Sequence, residues 1–168
     1  MLTDRELLKR VADGHQDAFR DLYDRFADRV FRYTVLMLRN RHLAEEVAQE
    51  TMVAVWKSAA RFKGHSKVST WVLGIARNQA LRLLRKEERG GRIPDIPLVT
   101  PDPSQQIRRE RLVAEAMNEL PDAQREVVFL TFFEGLSYNE IAALQEVPSG
   151  TVKSRMFHAK RRLAEVLT

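Results

Sequence analysis

The stretch SYNEIAALQEVPSGTVKSRMFHAKRRL, residues 137–163, decides the fold of the C-terminal part of the chain. Ser137 and Glu140 form the S-x-x-E pattern of a capping box, which predicts the start of a short helix. Pro148 then interrupts the helical pattern, and a basic helix is predicted from Gly150 to the end. A short helix, a brief turn and a basic helix are typical of a helix-turn-helix.

The apolar and basic residues of the last helix are predicted to lie on opposite sides. At about 100° per residue, one narrow stripe is expected to be buried; it contains Val152, Met156, Ala159 and Leu163. The outward half carries Lys153, Ser154, Phe157, His158 and Arg161. A single exposed Phe is common on protein surfaces. A Phe surrounded by cations instead favours a helix that binds in the major groove of DNA. There Phe meets a thymine methyl, and polar side chains reach bases or phosphates.

The net charge of +5 is distributed unevenly along the 168 residues. Residues 1–60 are neutral overall, residues 61–92 carry +7, residues 93–148 carry −6 and residues 149–168 carry +4. Two basic segments separated by an acidic one indicate two contacts with a polyanion. Solvated helix faces are the alternative explanation of such charge runs.

The remaining segments also follow the helical period, and no strict alternation persists over the length of a strand. Helices are expected at about 3–13, 16–38, 42–61, 69–88, 107–120 and 121–134. Two glycines and four of the six prolines fall between Gly90 and Pro103, which is linker composition. We therefore expect an all-α protein with two small helical domains, 1–89 and 107–168, joined by a flexible Pro/Gly-rich linker at 90–106.

Aromatic residues lie among cations in RFKGHSKVSTWVLGIARN, residues 61–78. Phe62 adjoins a short loop at Gly64, and stacking on such a ring contributes about 1–3 kcal/mol per base of single-stranded nucleic acid. Core packing is the likelier single role for Trp71, at helical spacing. Asn78 is either a solvated residue or a reader of a base edge.

One face of the third predicted helix is polar and acidic. Four residues share that face because they stand at positions i, i+3, i+4 and i+7; they are Glu46, Gln49, Glu50 and Val53. An ordinary solvent face is one interpretation. The other is a docking surface for a basic partner protein, with charges that set register and association rate.

Several classes of function are excluded or disfavoured. The chain has no Cys, which excludes disulfide frameworks and thiolate chemistry. Its four His residues lack metal-ligand spacing, and no catalytic cluster is evident, so we expect no enzyme, metal or cofactor. The charged N-terminus MLTDRELLKRVADG is no signal peptide, and the apolar run VVFLTFF at 127–133 is too short to span a membrane. We expect a cytoplasmic protein without membrane insertion.

The chain resembles the bacterial sigma factors of the extracytoplasmic-function (ECF) group over nearly its whole length, from about Phe19 to Leu167. Four stretches carry the resemblance: LAEEVAQETMVAVW (43–56), FKGHSKVSTWVLGIARN (62–78), LPDAQREVVFLTFFEGLSYNEIA (120–142) and GTVKSRMFHAKRRL (150–163). The resemblance implies two helical domains that bind core RNA polymerase and direct it to promoters. It also allows an anti-sigma factor as a further partner.

The resemblance also implies roles for particular residues. Glu46, Gln49 and Glu50 fall on the family's core-binding helix, which meets a coiled-coil of the polymerase β′ subunit. Phe62, Asn78 and the loop between them fall where the family captures an unstacked −10 base of the melted strand; the loop residues are Lys63, Gly64, His65, Ser66 and Lys67, with Trp71 following. The −35 recognition helix carries Lys153, Ser154, Phe157, His158 and Lys160.

A helix-turn-helix repressor with an N-terminal sensing or dimerisation domain is the alternative function. It would explain the C-terminal helix pair but would leave the aromatic and basic loop and the acidic face without a role. A repressor would bind duplex DNA unaided, whereas a sigma factor is expected to bind promoters strongly only with polymerase.

Overall fold

The computed structural model describes residues 1–89 and 105–167. This part of the chain is built from α-helices, contains no strand, and confirms the predicted all-α class. The helices are α1 (Asp4–Ala12), α2 (Gln16–Leu38), α3 (Arg41–Ser58), α4 (Val68–Arg89), α5 (Gln105–Asn118), α6 (Asp122–Phe132), α7 (Tyr138–Gln145) and α8 (Ser149–Leu167). None of these helices is long and apolar enough to cross a membrane.

The chain forms two compact units, one containing α1–α4 and the other α5–α8. The linker predicted at 90–106 falls outside the described residues, except for its last two positions, with which α5 begins. Helix α5 therefore starts two residues earlier than the helical period predicted.

Helix α2 is the centre of the first unit and packs against α1, α3 and α4. Its residues Leu22, Phe26 and Val30 recur at helical spacing and are fully buried. Where α2 crosses α3, the Thr34 hydroxyl donates a hydrogen bond to the Ala44 carbonyl oxygen at 3.2 Å. The apolar stripe of α2 therefore forms the core against which α1, α3 and α4 pack.

Helix α1 is held in place at its first turn. A capping box is present: the Thr3 hydroxyl accepts from the Glu6 N–H, and the Glu6 carboxylate accepts from the Thr3 N–H. This backbone hydrogen bond lowers the pKa of Glu6. Arg25 of α2 pairs with Asp4 at 2.9 Å and donates to the Leu2 carbonyl oxygen at 2.7 Å. Helix α1 is thereby anchored on α2.

The third helix ends earlier than the period predicted. The α-helix stops at Ser58, and the chain continues as a 3-10 turn over Ala59–Arg61. The Phe62 N–H then donates to the Ala59 carbonyl oxygen at 3.2 Å, which closes this tighter turn. The change of helix type directs the chain into the loop that precedes α4.

Helices α7 and α8 form the predicted helix-turn-helix. The capping box of Ser137 and Glu140 opens α7, and Glu146, with φ of 57°, ends it in the left-handed conformation. Arg155 of α8 donates to the buried Gln145 side chain at 3.1 Å. The three buried residues of α8 confirm its predicted apolar stripe: Val152, Met156 and Ala159. Leu163, predicted in the same stripe, is only half-buried, and the residues that follow it are exposed.

Candidate functional site

The acidic face of α3 is a continuous exposed strip. Four of its other residues, Ala44, Val47, Met52 and Val55, are buried against the unit, so the remaining side points outward. Glu46, Gln49, Glu50 and Val53 are all exposed, as their spacing predicted. We call these four residues the docking face.

The charge of the docking face is largely unneutralised. Glu46 lies 3.9 Å from the His42 imidazole, which is charged only when it is protonated. Within the described part of the chain, Glu50 has no ion-pair partner. Val53, on the same face as the two carboxylates, is 51% exposed. The docking face therefore combines an anionic rim with an apolar end.

An open apolar groove of about 590 Å³ continues from Val53 between α2 and α3. The Phe19 ring packs edge-to-face on Tyr23 at 6.3 Å and on Trp56 at 5.2 Å, measured between ring centres. The helical period places Phe19 and Tyr23 with the core residues of α2, but Phe19 is half-buried and Tyr23 is 41% exposed. Sequence reasoning missed this groove, because it arises only where two helices meet.

The basic loop, residues 62–67, is held by a residue from α1. Arg5 Nη2 donates to the Gly64 carbonyl oxygen at 3.1 Å and to the Ser66 carbonyl oxygen at 3.2 Å. Gly64 has a φ of 77°, and an added Cβ would lie 3.1 Å from Arg5 Nη1. Glycine suits this position because the backbone is left-handed and the guanidinium approaches it closely.

Two aromatic rings at the base of the loop contact each other. Phe62 and Trp71 pack edge-to-face with 5.4 Å between ring centres, and both are half-buried. The Arg5 guanidinium carbon lies 5.7 Å from the centre of the Phe62 ring. Trp71 therefore does not serve core packing alone, the role favoured from the sequence: it is half-buried and packs against Phe62 at the base of the loop. The structure brings the predicted aromatic residues and the loop cations together at one site.

Asn78 lies on the same side of α4 as Trp71. The two residues are seven positions apart, which is about two helical turns. Asn78 is exposed, and so are Arg82 and Arg85, which follow at helical spacing. A polar and cationic strip therefore leads from the basic loop along α4.

The outward side of α8 carries every predicted recognition residue in an exposed position, and we call this set the recognition face: Lys153, Ser154, Phe157, His158, Lys160 and Arg161. Phe157 is 57% exposed. Its ring contacts the His158 ring at 5.4 Å, and the Arg161 guanidinium carbon lies 5.8 Å from its centre. An apolar ring is thus presented to solvent among cations.

A cleft of about 230 Å³ joins the recognition face to α6. Gln124 of α6 lines it together with His158, Arg161 and Arg162 of α8. Gln124 was not predicted from the sequence, because this cleft arises only where α6 meets α8. Among the residues that the structure describes, no group of three or more His, Asp or Glu side chains could hold a metal ion.

Comparisons with protein families match both units. Residues 22–90 match the model of sigma-70 region 2, and residues 110–163 match the model of sigma-70, region 4. The basic loop and the docking face fall in the first match, and the recognition face falls in the second. Helix α1 lies outside both matches.

Curated relatives align over almost the whole chain. The RNA polymerase sigma factor CarQ of Myxococcus xanthus is 32% identical over 95% of both chains. The ECF RNA polymerase sigma factor SigW of Bacillus subtilis is 29% identical over 97% of this chain and 96% of its own.

Solved structures share the fold. The sigma factor RpoE of Bartonella quintana, in complex with the anti-sigma factor NepR, matches with a TM-score of 0.76 and 26% identity over 89% of this chain and 96% of its own. CnrH, in complex with the cytosolic domain of CnrY, matches with a TM-score of 0.72 and 25% identity over 98% of this chain and 96% of its own.

Proposed function

Because the chain belongs to the ECF sigma factors of RNA polymerase, which act in transcription initiation, we propose that it directs core polymerase to promoters through three separate surfaces. The docking face binds the polymerase, the basic loop captures melted −10 DNA, and the recognition face binds −35 duplex DNA. The docking face and the recognition face consist of exposed side chains on helices whose opposite sides are buried, whereas the basic loop lies between the 3-10 turn and α4.

The recognition face binds the major groove of the −35 duplex. The observation that carries this assignment is Phe157, which is exposed between His158 and Arg161 on the second helix of a helix-turn-helix. Cations contact phosphates and fix the helix in register, while Phe157 contacts a thymine methyl. Lys153 and Ser154 reach base edges or phosphates from the first turn of the same face. Binding therefore combines charge with limited base selection.

The basic loop holds one unstacked base of the melted −10 strand. Extruding a base from the duplex costs a few kcal/mol, which a protein must offset with new contacts. Phe62 and Trp71 supply aromatic surface, and Asn78 supplies hydrogen-bonding groups on the same side of α4. Lys63 and Lys67 supply positive charge near the strand. The loop thereby stabilises strand opening without any chemical step.

The docking face meets a basic surface of core polymerase, chiefly the coiled-coil of its β′ subunit. Glu46 and Glu50 set the register and the association rate through their charge. Val53 and the groove that continues from it contribute apolar area that the partner can cover.

An anti-sigma factor is a further partner of this chain. One similar solved structure is of a sigma factor bound to such a partner, the anti-sigma factor NepR. We extend this property to the present chain because the fold and nearly the whole length are shared.

Run-off transcription with bacterial core RNA polymerase tests the proposal as a whole. The templates are genomic fragments from the source organism, transcribed with and without the chain. Discrete new transcripts that require the chain are expected, and their start sites define its promoter. Binding of duplex sites by the chain alone, without any transcript, would contradict the proposal and favour the repressor function.

A further inference from the structure

A second pocket lies beside the basic loop, between the loop, α1 and the 3-10 turn, with a volume of about 330 Å³. Arg5 and Lys9 of α1 form one wall, and Phe62, Lys63 and Gly64 form the opposite wall. Helix α1 ends before residue 22, where the sequence match to region 2 begins. The match to region 2 therefore assigns no role to the wall formed by Arg5 and Lys9.

Three cations line the pocket, and no acidic residue does. The acidic residues of the first turn of α1 are engaged elsewhere: Asp4 pairs with Arg25, and Glu6 is bonded to Thr3 in the capping box. In the part of the chain that the structure describes, neither Lys9 nor Lys63 has an ion-pair partner. The pocket is therefore a concentrated positive site open to an anion.

Arg5 connects the pocket to the basic loop. One of its terminal nitrogens holds the carbonyl oxygens of Gly64 and Ser66, and its guanidinium lies over the Phe62 ring. Since a guanidinium has five N–H donors, others remain for an incoming acceptor. A phosphate group beside Arg5 would thus lie close to the Phe62 ring, which contacts an unstacked base in the proposed function.

We infer that this pocket binds a backbone phosphate of the melted single strand, so that Lys9 and Arg5 of α1 belong to the single-strand site together with Lys63. The inference rests on the proposed function of the basic loop. It adds a phosphate contact, and a segment of the chain outside the family match, to the base contact already assigned. Phosphate contacts fix the position of a strand, while the base contacts select its sequence.

Polymerase holoenzyme reconstituted with the full chain provides the test. Two DNA probes from the promoter found by run-off transcription are compared: a fork with a single-stranded −10 extension, and a duplex that ends upstream of it. Lys9→Gln is expected to weaken fork binding about threefold to fivefold. It should also lower the slope of the logarithm of the binding constant against the logarithm of the salt concentration by about 0.7. This is the slope expected for one phosphate contact on a single strand. Binding of the duplex probe should not change.

Arg10→Gln is the matched control, since Arg10 is an exposed cation next to Lys9 on α1 but does not line the pocket. Equal fork binding by the Lys9 and Arg10 variants would overturn the inference. If Phe62→Ala still weakened fork binding in that case, the proposed function of the loop would stand. If neither Phe62→Ala nor Lys63→Gln weakened fork binding, the single-strand assignment itself would fail, and the inference with it.

Discussion

Arg125 is a charged residue with only 3% of its surface exposed, and it organises the C-terminal unit. Its guanidinium donates to the carbonyl oxygens of Met117, Asn118 and Leu120 at the end of α5, and it pairs with Asp122 at 2.8 Å. Helix ends leave such carbonyls without intrahelical partners. Arg125 therefore joins the end of α5 to the start of α6.

Replacing Arg125 with Met should destabilise the C-terminal unit by about 3 kcal/mol, because buried carbonyl oxygens would lose charged donors. Urea unfolding followed by circular dichroism measures the loss. Arg111→Met is the control, since Arg111 is half exposed and pairs with Glu115 at the surface of α5. A similar change in both variants would contradict the role given to Arg125.

Phe157→Ala tests the recognition face at a single residue. Loss of one methyl contact should weaken −35 duplex binding by holoenzyme about fivefold and relax base preference at one position. Competition between promoter variants measures both effects. Val166→Ala, an exposed apolar truncation near the end of the same helix, should change neither. Equal loss of polymerase binding and promoter selectivity in the Phe157 variant would contradict the assignment.

At the scale of elements, helix starts were predictable from sequence because their signals are local. Both capping boxes lie within four residues, and the apolar period of α8 correctly placed three of the four residues of its predicted stripe. The docking and recognition faces were accessible to the same reasoning, because residues at helical spacing share a side. The chemical roles of those faces remain predictions.

Contacts between elements were not predictable in this way. Arg5 meets the basic loop across 59 to 61 residues of sequence, and nothing in its own neighbourhood indicates that contact. Arg125 reads as a surface cation until the end of α5 is placed beside it. The groove at Phe19 likewise depends on where α3 crosses α2. These features follow from tertiary packing, which the helical period does not encode.

Glu50→Lys tests the docking face of α3. Reversing an exposed charge that faces a basic partner should weaken binding to core polymerase at least about tenfold, through like-charge repulsion. A polymerase-binding titration gives the affinity, and circular dichroism checks that the fold is retained. Asp28→Lys, an equal charge reversal at an exposed position on α2, is the control. Unchanged affinity of the Glu50 variant would count against the docking face.

At the scale of the whole molecule, the two units offer separate spectroscopic signals. Both tryptophans, Trp56 and Trp71, lie in the first unit, whereas helices in both units contribute to circular dichroism. Chains with two compact units need not unfold in one step. Arg125→Met should therefore lower the midpoint urea concentration of unfolding followed by circular dichroism. The midpoint followed by tryptophan fluorescence should not change. A parallel shift of both signals would show that the units unfold together.

Under the proposed function of the basic loop, its contact with Arg5 has a consequence for how promoter preference can change. Arg5 holds main-chain oxygens, so this anchor does not involve the side chains at positions 63 and 65. Lys63 and His65 are exposed and can be replaced without disturbing this anchor. The backbone of the loop is thus held in place, while the exposed side chains on it can be exchanged. For a loop with the proposed single-strand role, mutational drift or directed evolution can change the specificity at little cost to the fold.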